Sequence, residues 1–370
     1  MSSPGECCKN VELFDLRAVK TPEWVTGFVD TAAGRVPVVP ADWSRRDRLG
    51  RLKCRLFNSS RMNYTVEPGI YAVGSPDGRS PVLVTANYKL SFDLLRRELA
   101  GFDAWIVVLD TRGINVWCAA GKGTFGTEEL IHRIRSTHLA EIVEHRRIIL
   151  PQLGAPGVRA HKVREQTEFS VSYGPVYARD LPAYLGSGCR ATAQMRRTQF
   201  GFKDRLELTP MEIFPALKGF LIFLAAVFVV FGLQPEGILF RSAWGSGLPV
   251  AVLGLAALLT GTLVTPLLLP WIPFRSFALK GFLLGGLATA LLTFLVGPED
   301  VRSVYLIAFS LVFFPAASSY LALQFTGSTS FTGISGVKKE LKIALPLYIA
   351  AAAVSLILLI LYKLQEWGIL

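Results

Sequence analysis

The sequence has no C-x-x-C pair. Its five cysteines, Cys7, Cys8, Cys54, Cys118 and Cys189, are scattered, so neither zinc nor iron–sulfur sites have their usual ligand spacing. An odd number of scattered cysteines fits a reducing compartment. The adjacent pair Cys7 and Cys8 could bind a metal, or it could belong to a solvent-exposed terminus without a ligand.

Histidine is also rare. Three of the four histidines, His132, His138 and His145, fall on one predicted helix, but their spacing misses the i, i+4 geometry of a helical metal pair. We interpret them as surface or packing residues. No G-x-S-x-G is present, so a nucleophile elbow is not supported. No D-x-H-x-x-G occurs either, so a histidine-ligated cobalamin module is not indicated.

The glycines at 121, 123 and 126 match G-x-G-x-x-G. A dinucleotide fold needs that pattern directly after a strand, with an acidic residue at the end of the next strand. Here the first glycine lies about twelve residues beyond the predicted strand Ala104–Leu109, and the next strand ends in Pro151-Gln152. The pattern therefore does not support nicotinamide binding.

Charge is almost missing from the second part of the chain. Only 14 of the 67 charged residues lie in 213–370, although the whole chain carries a net charge of +11. The N-terminus has no apolar run and is not a secretory signal. Basic and aromatic residues do not interleave, so no nucleic acid is expected. The basic excess fits a solvated face, or steering toward anionic ligands or lipid.

Five apolar stretches are long enough to cross a bilayer core of about 30 Å. They lie at about 213–233, 248–270, 276–297, 303–325 and 343–362, which predicts an all-α membrane domain of five transmembrane helices over 213–370. Basic residues concentrate before the first span and in alternate loops. The positive-inside rule therefore predicts a multi-pass inner-membrane protein with its N-terminal part in the cytoplasm and its C-terminus outside.

An uncharged loop rich in glycine, serine and threonine, 325–337, joins the last two spans on the predicted cytoplasmic side. It is either a loop that contacts the front of the chain or a ligand, or a flexible turn between helices.

The front of the chain is predicted to be α/β. Residues 1–60 are expected to be irregular, 61–185 to form an open or Rossmann-like parallel sheet with helices, and 186–212 to be a basic linker. Three loops follow strand ends: Thr85–Lys89, Gly113–Gly126 and Pro151–Gly157. Ligands in such sheets bind outside the carboxyl ends of the strands, so the loops are expected to converge on one crevice.

The second of these loops, Gly113–Gly126, contains Cys118, the one cysteine whose neighbours in the sequence favour metal binding. Asn115 is a candidate N-cap, which would make Cys118 the third residue of a helix. A thiol there is favoured as thiolate, the form that binds metals. Ala119, Ala120 and Gly121 would leave a nearly flat face, suited to a planar ligand. The alternative is an inert core cysteine.

The string Asn-Val-Trp-Cys-Ala-Ala-Gly-Lys at 115–122 resembles the cap-helix motif of the corrinoid protein of microbial mercury methylation. That family joins a corrinoid-binding domain to a five-span membrane domain. Further strings similar to the family are found at 61–69, 81–93, 150–157 and 327–337, so the resemblance covers about 40–370. A wider relative is the large subunit of the corrinoid iron–sulfur protein of acetyl-CoA synthesis, which has an alanine-type residue in place of the cysteine.

The resemblance implies a cobalamin or other corrinoid cofactor whose cobalt takes the Cys118 thiolate as lower axial ligand. The expected cofactor contacts fall in three groups. They are backbone amides in the stretch Thr85, Ala86 and Asn87; the cap residues Asn115, Val116, Trp117, Cys118, Ala119, Ala120, Gly121 and Lys122; and backbone amides in the stretch Gly154, Ala155, Pro156 and Gly157.

The resemblance also implies the reaction and its partners. Because a thiolate trans to a cobalt-bound methyl group favours its departure as a carbanion equivalent, the expected reaction is methyl transfer to Hg(II). The expected partners are the lipid bilayer, a ferredoxin-like protein with two [4Fe–4S] clusters as electron donor, and a methyltetrahydrofolate-linked protein as methyl donor. The alternatives are a corrinoid methyl carrier for one-carbon or acetyl-CoA metabolism, and a membrane scaffold that binds no cofactor.

Overall fold

The computed structural model describes residues 22–296, 303–329 and 331–370. It divides the chain into two units, which we call the front unit (Met1–Thr198) and the helical unit (Gln199–Leu370). Cys7 and Cys8, with the question of whether they bind a metal, lie outside the described residues.

The front unit is built on one seven-stranded sheet. In spatial order the strands are β1, β2, β3, β5, β4, β6 and β7. Their bounds are Gly27–Thr31, Gly34–Val38, Gly69–Val73, Val82–Ala86, Ala104–Leu109, Arg147–Leu150 and Ser170–Tyr173 for β1 to β7. The helices of this unit, α1 to α8, are Arg45–Leu56, Asn58–Met62, Lys89–Arg97, Val116–Lys122, Thr127–Ser136, Leu139–Ile142, Ala160–Thr167 and Leu181–Gly186.

The expected parallel sheet is present only in part. Strands β5, β4, β6 and β7 are mutually parallel, as predicted, but β3 runs antiparallel to β5. The connection from β3 to β4 spans only 74–81 and contains no helix. A parallel crossover needs about a dozen residues or more. The sheet is therefore mixed.

Helices cover both faces of the sheet. One apolar core lies between the sheet and the helices α4 to α7, and a second lies between the sheet and the helices α3 and α8. Every residue of the three central strands β3, β4 and β5 is buried, as expected for strands covered on both sides. The strand ends are consequently the part of the sheet open to ligands.

The N-terminal segment predicted to be irregular contains regular structure from residue 27 onward. Strands β1 and β2 form a hairpin whose turn is Ala32-Ala33, a dipeptide without the usual glycine or asparagine turn preference. Helix α1 begins after Ser44, which caps the helix reciprocally with Asp47. This helix was missed because its buried residues are Asp47 and Cys54 rather than an apolar stripe.

A buried ionic network joins α1 to α3. The Lys89 ammonium donates to Asp47 at 2.9 Å and to both Asp93 oxygens at 2.8 Å. Arg96 lies 2.9 Å from each of the same two carboxylates. Burial raises the pKa of Asp47, but hydrogen bonds from Lys89 and Ser44 outweigh it, and the pKa lies well below its ordinary value. The network therefore favours the ionised form of the Asp47 carboxylate.

The helical unit contains seven helices in its described residues. They are α9 to α15: Phe202–Leu208, Pro210–Gly232, Phe240–Leu259, Thr265–Leu268, Phe277–Val296, Val304–Gln324 and Ile334–Glu366. A π-helical segment, Thr260–Val264, links α11 to α12. Five helical stretches in this described part are long and apolar enough to cross a membrane.

The helix ends differ from the predicted spans. Helix α11 begins at Phe240 rather than 248, and α15 runs from Ile334 to Glu366 rather than 343–362. The predicted linker 186–212 contains α9 and the start of α10. Hydropathy gives the length needed to cross the apolar layer, whereas helices can continue beyond it.

Small residues bring α13 and α14 together. A Cβ added at Gly285 would lie 2.4 Å from the Ser318 Cβ, and one at Gly281 would lie 2.5 Å from the Ala322 Cβ. The two glycines have the G-x-x-x-G spacing that lets the backbones of membrane helices approach closely.

Candidate functional site

Helix α4 carries the predicted site and begins as the sequence indicates. Asn115 is its N-cap, with an extended backbone, and its side chain accepts a hydrogen bond from the Cys118 amide at 3.0 Å. Cys118 is the third residue of the helix. Gly123 ends it in the left-handed region at φ 83°, a conformation that glycine adopts without steric cost. Both ends of the seven-residue helix are therefore fixed by local sequence.

The two sides of α4 have different environments. Val116, Ala119 and Ala120 are buried in the core. Cys118 is half-buried, and Gly121 and Lys122 are exposed. The prediction of a flat face made by both alanines and Gly121 is thus wrong for the alanines, because their methyl groups pack against the sheet side of the helix. Gly121 leaves free space on the exposed side of the helix, since a Cβ added there would meet no atom within 4 Å.

Trp117 is the large apolar group next to the cysteine, and 43% of its surface is exposed. An exposed indole beside a thiol offers an apolar surface to a ligand. The accessible groups of the cap are therefore Trp117, Cys118, Gly121 and Lys122.

The side chains of the loop after β4 have their partners within the protein. Thr85 and Ala86 are buried within the sheet. The Asn87 side-chain oxygen accepts hydrogen bonds from the Thr111 amide at 3.0 Å, the Thr111 hydroxyl at 2.9 Å and the Gly113 amide at 2.9 Å. Its amide group donates to Asp110 at 3.2 Å. Asn87 is thus occupied in holding the loop that leads to α4.

Thr111 and Gly113 support the loop before α4, a role that the sequence did not reveal. The Thr111 hydroxyl also lies 2.6 Å from the Ile114 carbonyl oxygen. Gly113 adopts φ 72°, and an added Cβ would lie 2.8 Å from the Thr65 Cγ2. A glycine in the loop between the strand and the helix was the available signal for a strained turn.

The loop after β6 packs against the end of α4. It forms a 3-10 helix, Gln152–Gly157. A Cβ added at Gly154 would lie 2.5 Å from the Phe125 ring, and one at Gly157 would lie 2.1 Å from the Phe125 carbonyl oxygen and 3.2 Å from the Ala120 Cα. Ala155 is half-buried and Pro156 is exposed, so of this group these two can offer side chains to a ligand.

The three loops therefore lie at one edge of the sheet and contact one another. They follow β4, β5 and β6, which are neighbours in the order β5, β4, β6. After β4 the chain continues into α3, which packs on one face of the sheet. After β6 it continues into α7, which packs on the opposite face. That change of face is the feature that opens a ligand crevice in α/β sheets.

The other thiols and the histidines are placed differently. Cys54 is buried, and burial raises the pKa of its thiol. The His138 ring lies 3.0 Å from the Glu141 carboxylate, and the His145 ring lies 2.9 Å from the Ser80 carbonyl oxygen. Within the described part of the chain, no three His, Cys, Asp or Glu side chains group as metal ligands. A metal at α4 would have to bring further ligands of its own.

Replacing Asn115 by alanine is expected to loosen α4 by about 1 kcal/mol, the usual cost of losing a side-chain N-cap. Hydrogen exchange of peptides covering 113–123 should become faster by roughly fivefold. Asn63→Ala is the matched control, because Asn63 is exposed and bonds only to the Ser59 carbonyl. Equal exchange in both variants and the unaltered protein would contradict the assigned cap.

Comparison with known proteins places this edge of the sheet inside a recognisable region. Residues 49–185 match the family described as CO dehydrogenase/acetyl-CoA synthase delta subunit. That range begins within α1, ends within α8 and includes α2 to α7 and all three loops.

Individual relatives match over a similar region. They include acetyl-CoA decarbonylase/synthase complex subunits gamma of Methanopyrus kandleri, 32% identical over 145 residues (39% of this chain, 31% of the relative), and of Archaeoglobus fulgidus, 28% identical over 136 residues (36% and 28%). The subunit of Methanocaldococcus jannaschii is 35% identical over 102 residues (27% and 21%). The chain thus spans about a third or less of the length of these relatives.

These matches confirm the likeness to proteins of acetyl-CoA synthesis, the wider relative named from the sequence. The corrinoid cofactor expected from the resemblance agrees with them, because the matched region contains the cap helix and its supporting loops. None of the three relatives' names refers to mercury.

Proposed function

We propose that the protein is a membrane-anchored corrinoid protein of methyl transfer, with the Cys118 sulfur as the lower ligand of cobalt. The observation that carries the proposal is the half-buried sulfur on the open side of α4, beside a glycine with empty space above it. An inert core cysteine would point to the other side, where Val116, Ala119 and Ala120 are buried.

The residues present fit a large planar group. Cys118, Gly121 and Lys122 are spaced i, i+3 and i+4, so they are neighbours on one helix face. Because Gly121 has no side chain, a macrocycle can approach the helix backbone there. Trp117 adds apolar area beside Gly121. The exposed Lys122 provides a cation for an anionic substituent of the ligand.

Each supporting residue has a definable task. Asn115 orients the turn that carries the sulfur, and Asn87 fixes the loop before it through Thr111 and Gly113. Gly154 and Gly157 let the neighbouring loop support the far end of α4. When bound, the corrinoid would supply a cobalt that can carry a methyl group, and the Cys118 thiolate would hold this cobalt and favour release of the group with its electron pair. The chain's contribution is a fixed position for the sulfur.

Two acceptors distinguish two forms of this function. The cysteine in the cap string favours Hg(II), because an electrophilic metal ion accepts a methyl group that leaves with its electrons. The matched gamma subunits belong by name to an acetyl-CoA decarbonylase/synthase complex, which favours a methyl carrier for one-carbon metabolism. In either form we propose a ferredoxin-like protein with two [4Fe–4S] clusters as electron donor and a methyltetrahydrofolate-linked protein as methyl donor.

The helical unit is proposed to insert in the inner membrane. Its five long apolar helices support insertion. The surplus of lysine and arginine before α10, between α12 and α13 and at the start of α15 supports a cytoplasmic front unit and an external C-terminus.

The test is cobalt ligation in the full-length protein reconstituted with cobalamin. The expected result is uptake with a sulfur ligand, seen by absorption and paramagnetic resonance, and loss of that ligand in Cys118→Ala. Cys189→Ser is the control, because Cys189 is also a half-buried free thiol. Water or nitrogen below cobalt in the unaltered protein would contradict the assignment, and no uptake at all would favour a scaffold.

A further inference from the structure

A groove of about 1220 Å³ runs between α13, α14 and α15 of the helical unit. Its two ends differ in chemistry. One end is lined by charged and polar residues at the starts of α13 and α15. They are Arg275, Ser276, Thr332, Ser335, Lys339 and Glu340. The other end is lined by apolar side chains, including Leu311, Val312, Ala316, Leu347 and Ala351. The groove is thus amphipathic along its length.

The length of the groove corresponds to one leaflet of a bilayer. On α15 its lining extends from Ser335 to Ala351, which at 1.5 Å per residue is about 24 Å, of which the apolar part from Ile343 to Ala351 is about 12 Å. Half of a hydrocarbon core of about 30 Å is about 15 Å. A molecule with a polar head and chains as long as one leaflet would fill it from end to end.

Hydrogen bonds hold the polar end and the floor of the groove in shape. The Glu340 carboxylate accepts from the Ser276 hydroxyl at 3.0 Å and from the Ala278 amide at 3.1 Å. The Ser319 hydroxyl donates to the Ala278 carbonyl at 2.6 Å and lies 2.8 Å from the Tyr348 hydroxyl. These contacts tie α15 and α14 to the beginning of α13, so the groove does not depend on mobile loops.

The charge at the polar end is positive. Arg275 and Lys339 are exposed there, and neither has an ion-pair partner among the residues that the structure describes. The acidic group at this end, Glu340, already bonds to the first turn of α13. Two cations at the polar end of a groove whose other end is apolar complement a molecule with a phosphate headgroup and acyl chains.

We propose that this groove binds one anionic phospholipid, with its phosphate near Arg275 and Lys339 and its acyl chains along α14 and α15. The inference rests on insertion of the helical unit in a bilayer, as proposed above. It is independent of the cobalt site, because the groove lies entirely within the helical unit.

The experiment reconstitutes the full-length protein in nanodiscs with equal amounts of phosphatidylglycerol and phosphatidylcholine of identical chains. Retained lipid is then counted by native mass spectrometry. We expect one phosphatidylglycerol to be retained per protein, with a preference of about tenfold over phosphatidylcholine. The preference arises because two basic side chains attract an anionic headgroup. The double variant Arg275→Gln/Lys339→Gln should lose most of this preference.

A charge-matched control separates the groove from general attraction. The double variant Lys338→Gln/Lys342→Gln also removes two positive charges, at exposed positions of α15 that do not line the groove. It should keep the preference for phosphatidylglycerol. Ala351→Trp should displace the lipid by filling the apolar end, whereas Ala350→Trp, which points elsewhere on the same helix, should not.

Equal retention of both lipids, or equal losses in both double variants, would overturn the proposal for the groove. A protein that does not enter nanodiscs at all would overturn membrane insertion and the lipid site together. Cobalamin uptake should be unchanged by the Ala351→Trp variant, which keeps the two sites distinguishable.

Discussion

If the proposed transfer to Hg(II) is the function, replacing Cys118 by alanine should abolish it, lowering methylmercury formation at least about a hundredfold. Outer-shell residues of metal sites typically contribute 10- to 100-fold, and loss of the direct ligand should exceed that. The measurement is methylmercury formed by the full-length, corrinoid-loaded protein with a reduced two-[4Fe–4S] ferredoxin. The backbone of α4 should be unaffected, because alanine has a high helix propensity and Asn115 still caps the helix.

The same variant separates the two forms of the proposed function. If the protein is a methyl carrier for one-carbon metabolism, alanine at 118 should be tolerated, as the resemblance to the wider relative implies. Cys189→Ser, a change at another half-buried free thiol, should retain methylmercury formation. Full activity in Cys118→Ala would show that the sulfur does not take part in the reaction. The carrier role would then be the better explanation.

Replacing Arg96 by alanine should destabilise the packing of α1 on α3 by about 3–5 kcal/mol, because breaking a buried ion pair leaves an uncompensated charge. Arg96 is fully buried and bonds to Asp93 and to the carbonyl oxygens of Pro40 and Asp42. Without it, Asp47 and Asp93 share a single cation, Lys89. Hydrogen exchange of peptides from 45–56 and 89–97, measured in the full-length protein, should accelerate strongly.

The adjacent residue gives the control for this change. Arg97 is partly exposed, pairs with Glu98 and lies over the Trp43 ring. Arg97→Ala should cost no more than about 1 kcal/mol, as expected for exposed ion pairs. Equal acceleration in both variants would contradict a specific contribution of the buried network.

The cap helix could be predicted because its signals are local. The Asn115 cap and the position of Cys118 both depend on residues within one turn, and the structure has them as expected. The convergence of the three loops followed from the parallel strands β4, β5 and β6, whose apolar runs and intervening helices are visible in the sequence.

Other features depend on contacts between distant residues and could not be predicted in this way. The side chain of Asn87 bonds to Thr111 and Gly113, which lie 24 and 26 residues later, and no local pattern indicates these contacts. Ala119 and Ala120 were expected on an open face, yet only the position of the sheet decides which side of a short helix is buried. Helix α1 was missed since it is anchored by salt bridges to residues more than forty positions away.

The division of α4 into a core side and an open side separates what folding requires from what chemistry requires. Val116, Ala119 and Ala120 satisfy the fold, whereas the identity of residue 118 is free of that constraint. A substitution at that position can therefore change the group presented on the open side of α4 without altering the packing of the scaffold. Descendants of one ancestral domain can acquire different reactivities by this route while their stability is inherited unchanged.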